Sequence, residues 1–272
     1  MTICILPTHI FFSQYFATSP WPSPKSIAAE CNGDPLVLAL YREVTHRHWH
    51  SVTRPTVGAR IEGWSVYREL FDEILLDAEE KSSQHTRAAF FISPQWAFDI
   101  LHECVYQFQG YCQFKSAVQA SVVKHGIAPG GEPTKTAPHH LIENMTILSQ
   151  NSDAWAVETV FFYLHRLVSI GKTATVPAYQ YLGIFASIAL SRLECLLGDY
   201  RACLSALEMD MTMIVDNGET TQTFHEIVHD VFPARVSWAY HAGVAYLMLR
   251  RYKDATRILG DVCFYMQRGF KV

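Results

Sequence analysis

Residues 181–203 read YLGIFASIALSRLECLLGDYRAC, and residues 243–255 read GVAYLMLRRYKDA. In the first stretch Leu182, Phe185, Ala186, Ala189, Leu193 and Leu196 fall at offsets 0, 3, 4, 7, 11 and 14, one apolar stripe along an α-helix. Gly198-Asp199 breaks that helix and the next begins at once, which leaves room only for an antiparallel helix hairpin. The second stretch repeats the pattern. Leu249-Arg250-Arg251-Tyr252 echoes Leu197-Gly198-Asp199-Tyr200 at an offset of 52 residues, and Ala255 takes the place of Cys203. Gly243, Tyr246 and Ala255 stand at offsets 0, 3 and 12, where small residues let two helices approach and the tyrosine fills the space beside them.

That small-large-small spacing is the signature of a tetratricopeptide hairpin, although 52 residues exceed the ~34 of a regular array. The fold class expected is therefore all-α, an irregular tetratricopeptide-like solenoid of helix hairpins, whose units bury their apolar faces by stacking. Further stripes agree: Val157, Val160, Phe161, Leu164 and Val168, and again Ala255, Ile258, Leu259, Val262 and Met266. Asp34-Pro35 and Ser93-Pro94 each put a capping side chain before a proline at the first helical position, and Ser152-Asp153 introduces the helix expected to hold Trp155. No sustained period-2 run suggests a strand. The expected organisation is an extended lead-in (1–33), a first helical group (34–125), a flexible Pro/Gly loop (126–140) and a second helical group (141–272).

Composition narrows the class. Apolar residues make up 49% of the 272, enough for a packed core. The formal net charge of −4 gives no global attraction to nucleic acid or anionic membrane. The charge is uneven, since residues 233–272 carry seven Lys or Arg against Asp254 and Asp261, a basic end on an acidic body. Seven cysteines without a C-x-x-C pair read as buried, reduced thiols of a cytoplasmic protein. The apolar start has no positive n-region before Lys25, which argues against a secretory signal, and the run Tyr181–Leu190 falls short of the ~20 residues of a membrane span.

Chemistry-bearing motifs are few. His225-Glu226-Ile227-Val228-His229 is formally H-E-x-x-H, in which two histidines one turn apart bind Zn²⁺ and the glutamate acts as base. Extended forms of that motif need partners that Phe232 and Arg235 do not supply, no glutamate follows Glu226, and Pro233 interrupts the helix. Asp230 or His241 would have to complete the site. His46-Arg47-His48-Trp49-His50 reads as the wet side of an early helix, with Trp49 towards the core, and His139-His140 lies beside the loop. No phosphate-cradling glycine loop or nucleophile elbow occurs, and aromatics such as Trp64, Tyr67, Phe71, Trp96 and Tyr106 recur at helical intervals as core residues do. No catalytic residue, cofactor, small-molecule substrate or membrane contact is expected.

Several ordered blocks resemble the subunit L family of eukaryotic translation initiation factor 3. They are Ser19-Pro20-Trp21-Pro22 with Leu40-Tyr41-Arg42-Glu43; Leu70-Phe71 and Ile74-Leu75; Ser93-Pro94-Gln95-Trp96 through Tyr106-Gln107-Phe108-Gln109; Trp155 with Leu164-His165-Arg166-Leu167-Val168; Tyr181–Tyr200; and Gly243–Ala255 followed by Tyr265-Met266-Gln267-Arg268. The resemblance implies a non-catalytic scaffold in that factor, neighbouring subunits K and E and reaching the 40S ribosomal subunit through the complex. The family continues into a PCI module that these residues do not contain, and the resemblance implies that the PCI contact belongs to that module. The anchors expected at the basic end are Arg250, Arg251, Lys253 and Arg257, with Tyr246 and Tyr252 in the hairpin core. The competing readings are a zinc hydrolase on His225 and His229, a helical adaptor of another PCI-type assembly, and weak direct RNA contact through the basic end.

Overall fold

The computed structural model describes residues 21–83, 91–125, 138–208, 212–215 and 220–269. Among them are eleven helices: α1 (Pro24–Glu30), α2 (Pro35–Val52), α3 (Val57–Ser83), α4 (Pro94–Lys124), α5 (His139–Gln150), α6 (Val157–Thr173), α7 (Pro177–Leu197), α8 (Tyr200–Leu207), α9 (Phe224–Asp230), α10 (Phe232–Met248) and α11 (Tyr252–Gly269). The all-α expectation holds. Most of the stretch expected as a flexible loop, 126–137, lies outside the described residues, as do residues 1–20 of the lead-in; His139 and His140 open α5, and residues 24–30 form α1. The described residues divide into two compact units, one within 21–74 and 103–160, the other within 75–102 and 161–269. Each draws on both sides of residues 126–137.

In the first unit the start signals act as read. Asp34 Oδ1 accepts from the backbone N–H of Leu36 (3.0 Å) and Val37 (3.2 Å), and Pro35 supplies a first-turn φ without an orphaned donor. Leu36, Leu40, Glu43 and Arg47 then fall at offsets 0, 4, 7 and 11 on the buried face of α2. Arg47 is therefore driven into the core, where Glu43 one turn back holds its Nε at 3.0 Å and the Tyr67 hydroxyl donates to the same carboxylate at 3.4 Å. A buried ion pair persists only with such extra partners. This corrects the reading of residues 46–50: His46 and Arg47 are buried, whereas Trp49 is 42% exposed.

Trp155 is the wedge of this unit. It lies in the turn before α6, not in a helix, with φ at +54°. That left-handed backbone costs a bulky residue about 1 kcal/mol or more. The position is held by an indole N–H donating to the Arg60 carbonyl (2.8 Å) and by ring contacts with Trp64 (5.1 Å), Tyr67 (6.0 Å) and Phe108 (6.3 Å). Fully burying an aromatic side chain contributes ~2–3 kcal/mol, which offsets the strain.

The second unit is built around α7. The run Tyr181–Leu190 extends into a 21-residue helix, the one described helix long and apolar enough to cross a membrane by length and composition alone. Fourteen of its residues are buried in the protein, as expected of a core helix. Gly171 of α6 and Gly183 of α7 let the two backbones touch, since a Cβ added at either would meet the other's Cα at 2.6 Å. Phe185 packs edge-on against Phe98 (5.6 Å), and the Tyr179 hydroxyl donates to the buried carboxylate of Asp77.

One element was not expected: an antiparallel pair of strands, β1 (Thr212–Val215) and β2 (Thr220–Thr223), in register Thr212↔Thr223 to Val215↔Thr220. The six cysteines among the described residues are free thiols. Cys104 and Cys203 are buried and Cys112 and Cys263 exposed, so the expectation of buried thiols holds only in part.

Two glycine substitutions separate close approach from free space. Gly183→Ala forces Cβ into the Gly171 backbone and is expected to cost about 1–3 kcal/mol or more. Gly260→Ala on α11 meets nothing within 4 Å and is expected to gain ~0.5–1 kcal/mol by removing a flexible residue from a helix. Urea denaturation of the two variants checks both signs.

A candidate interaction surface at the hairpin turns

The two quoted stretches fold into hairpins whose caps use the same hydrogen bonds at matching positions. Gly198 takes φ +86° after α7; its N–H bonds to the Cys195 carbonyl, and the Asp199 N–H to the Glu194 carbonyl. Arg250 takes φ +61° after α10; its N–H bonds to the Leu247 carbonyl, and the Arg251 N–H to the Tyr246 carbonyl. Both are left-handed helix stops that satisfy orphan carbonyls and return the chain in one step. The 52-residue echo is thus physical. Cys203 and Ala255, its two small members, are 0% and 1% exposed. Across the first hairpin the Ser191 hydroxyl meets the Cys203 thiol at 3.2 Å; across the second, Gly243 leaves space for Leu259, whose branch would lie 2.5 Å from an added Cβ.

The basic candidates gather on and after the second turn. Arg250, Arg251, Lys253 and Arg257 are all exposed. Arg251 is fixed: its guanidinium lies 4.6 Å above the Tyr246 ring and bonds to Asp254 through both Nε and Nη2 at 2.7 Å. Arg257 approaches the same carboxylate at 3.8 Å. Tyr246 is half-buried beneath Arg251, but Tyr252 is 60% exposed, which corrects its assignment to the hairpin core. The residue opening α11 points outward because the buried stripe of that helix begins at Ala255.

The H-E-x-x-H string is used differently. Thr223 caps α9, and Glu226 closes a capping box: its carboxylate accepts from the Thr223 N–H at 2.6 Å, while the Thr223 hydroxyl accepts from the Glu226 N–H at 3.3 Å. These bonds to Thr223 lower the Glu226 pKa, the opposite of what a general base poised near neutrality needs. His225 packs edge-on against Trp238 at 5.6 Å, and Nδ1 of His241 faces the Ser237 carbonyl at 2.7 Å. Asp230 ends the seven-residue helix, and α10 restarts at Phe232 with Pro233 in its first turn. Among the described residues no three His, Cys, Asp or Glu gather as a metal ion would need.

Sequence reading missed Arg201, which α8 presents beside the second turn. Arg201, Leu204, Ser205 and Glu208 recur at offsets 0, 3, 4 and 7, and with Leu249 and Arg251 they line a cavity of about 370 Å³. The spacing was there to be read, but only the fold shows that residues 201 and 251 share a space.

Capped helix hairpins with an exposed basic turn define the class: an all-α helical-repeat protein. Within that class the chain belongs to the family described as RNA polymerase I-associated factor PAF67, whose model matches residues 59–272. Curated relatives named eukaryotic translation initiation factor 3 subunit L are 31% identical in Nematostella vectensis, 29% in Danio rerio and 28% in Homo sapiens, each over 94% of this chain. The chain spans less than half of their length, 46%, 42% and 43% respectively. These findings agree with the family resemblance read from the sequence.

Two histidines set a pH dependence: half-buried His50, and His102, an exposed residue whose ring stacks on Phe98. Burial, with the His46 and Arg60 charges, pushes His50 from 6.5 down to about 4, although Glu103 lies 3.7 Å from its Nδ1. Burial, with Arg192 and His241, does the same to His102. Each group binds its proton less readily folded than unfolded, so stability present above pH 6.5 declines as the pH falls from about 6.5 towards 4. Denaturation midpoints measured from pH 7.5 to 4.5 should fall on acidification, and His50→Asn should make that fall shallower.

Proposed function

We propose that the chain is a non-catalytic scaffold segment of eukaryotic translation initiation factor 3, acting in the cytoplasm. In this reading it supports assembly of the pre-initiation complex on the small ribosomal subunit and recruitment of mRNA, with subunits K and E as its neighbours and the 40S subunit reached through the complex. The observation that carries the proposal is the alignment over 94% of the chain with relatives that bear the subunit L name. The fold supports it. Stacked hairpins provide a rigid surface, and affinity at such a surface rests on a few anchors. Arg250, Arg251, Lys253 and Arg257 are the anchors proposed. The single H-E-x-x-H string is taken up by helix capping, which leaves no observation in favour of a hydrolase.

A tagged pull-down from cytosolic lysate tests this reading. The wild-type chain should bring down other subunits of the factor and small-subunit ribosomal proteins. The double change Arg250→Glu, Arg251→Glu should cut that recovery by roughly tenfold or more, the scale of ~1.4 kcal/mol lost at an anchor. Unchanged recovery would remove these residues from the interface. Recovery of RNA polymerase I subunits in place of initiation factors would replace the proposal.

A further inference from the structure

The cavity between α8 and the α10–α11 turn has the chemistry of a specific socket. Its wall on α8 is one helix face, Arg201, Leu204, Ser205 and Glu208, opposite the buried Cys203 and Leu207. Its other wall is Leu249 and Arg251 from the second turn. Arg251 is held in place by Asp254 and by the Tyr246 ring, yet Asp254 engages only Nε and Nη2 of its five N–H donors. Arg201 is exposed and makes no ion pair with any described residue. The lining thus brings together two guanidinium groups from different elements, a hydroxyl, two leucines and the Glu208 carboxylate, a space that matches a carboxylate side chain next to an apolar one.

We propose that this cavity docks an acidic, leucine-containing segment of a partner protein, its carboxylate bridging Arg201 and Arg251 and its apolar side chain seated on Leu204 and Leu249. The proposal rests on the scaffold reading and names the partner chemistry for its basic end. Charge complementarity selects the occupant: Arg201 and Arg251 are the cations of the lining against Glu208, and a planar guanidinium pairs with carboxylate in a two-bond fork. A nucleic-acid backbone fits less well. The cavity offers leucines where an RNA surface would offer aromatic rings for bases.

The test is fluorescence anisotropy on the purified chain. One probe is a labelled fourteen-residue peptide of alternating Glu, Leu and Asp, and the other is labelled oligouridine of twelve nucleotides. The peptide should bind, Arg201→Glu should weaken it at least tenfold, and Arg68→Glu, the same charge change at an exposed site of the other unit, should alter it less than twofold. Melting curves of both variants establish that they fold; if Arg201→Glu does not, Arg201→Gln is read in its place, with loss of peptide binding expected. No difference between Arg201→Glu and Arg68→Glu, or no peptide binding, would overturn the proposal. Tighter binding of the oligouridine, lost on Arg201→Glu, would overturn it in favour of RNA. These outcomes are independent of the lysate pull-down, so the socket can fail while the scaffold reading stands, and the reverse.

Discussion

The second unit depends on one backbone constraint: a residue with positive φ that stops a helix and returns the chain immediately. Gly198 meets it without strain, because glycine has no Cβ to clash in the left-handed region. Arg250 meets it at a cost of ~1 kcal/mol. With the return fixed, each pair of helices must lie antiparallel within two residues of its turn, and the small residues of the pair decide how closely they pack. Cys203 and Ala255 sit at matching depths for this reason. The basic and aromatic residues on and beside the turns are then held at a rigid corner instead of on a loop. Glycine at position 250 would relieve that strain.

Much of the fold could be read from periodicity and punctuation. Helix α7, its Gly198 stop, the Asp34 and Ser93 caps and the 52-residue echo all rest on local physics, and local physics is what a sequence displays. The misreadings came where tertiary partners decide. Arg47 lies on the apolar stripe of α2, but its burial depends on Glu43 and Tyr67 matching it. Trp155 follows a helix-start signature, yet it is pulled out of helical geometry by the Arg60 carbonyl and three aromatic rings. The strand pair has a sequence signal of its own: six of its eight residues are β-branched, and Asn217-Gly218 lies between the two strands in sequence. The membership of the two units is not a local property at all, because the long helices α3 and α4 contribute to both.

The candidate sites show the same division. The H-E-x-x-H string looks like chemistry when taken as a pattern, but Thr223 three residues before Glu226 makes it equally a capping box, and the structure uses it as one. Two short motifs sharing a glutamate compete, and the one satisfied by backbone donors alone needs no outside ligand. Conversely, Arg250, Arg251, Lys253 and Arg257 were found from charge counting, whereas Arg201 has no charge cluster around it in sequence and becomes notable only opposite Arg251. Function in such a protein lies in how surface is presented, and presentation is set by turns that bring distant residues together.

The most direct measurement of this account is hydrogen–deuterium exchange on the chain, free and incorporated in the reconstituted initiation factor. The account predicts slowed exchange on incorporation at the hairpin turns and first helical turns after them, residues 198–205 and 249–257, with smaller changes along α2. Unchanged exchange at both turns, with protection confined to α2 and α5, would contradict it.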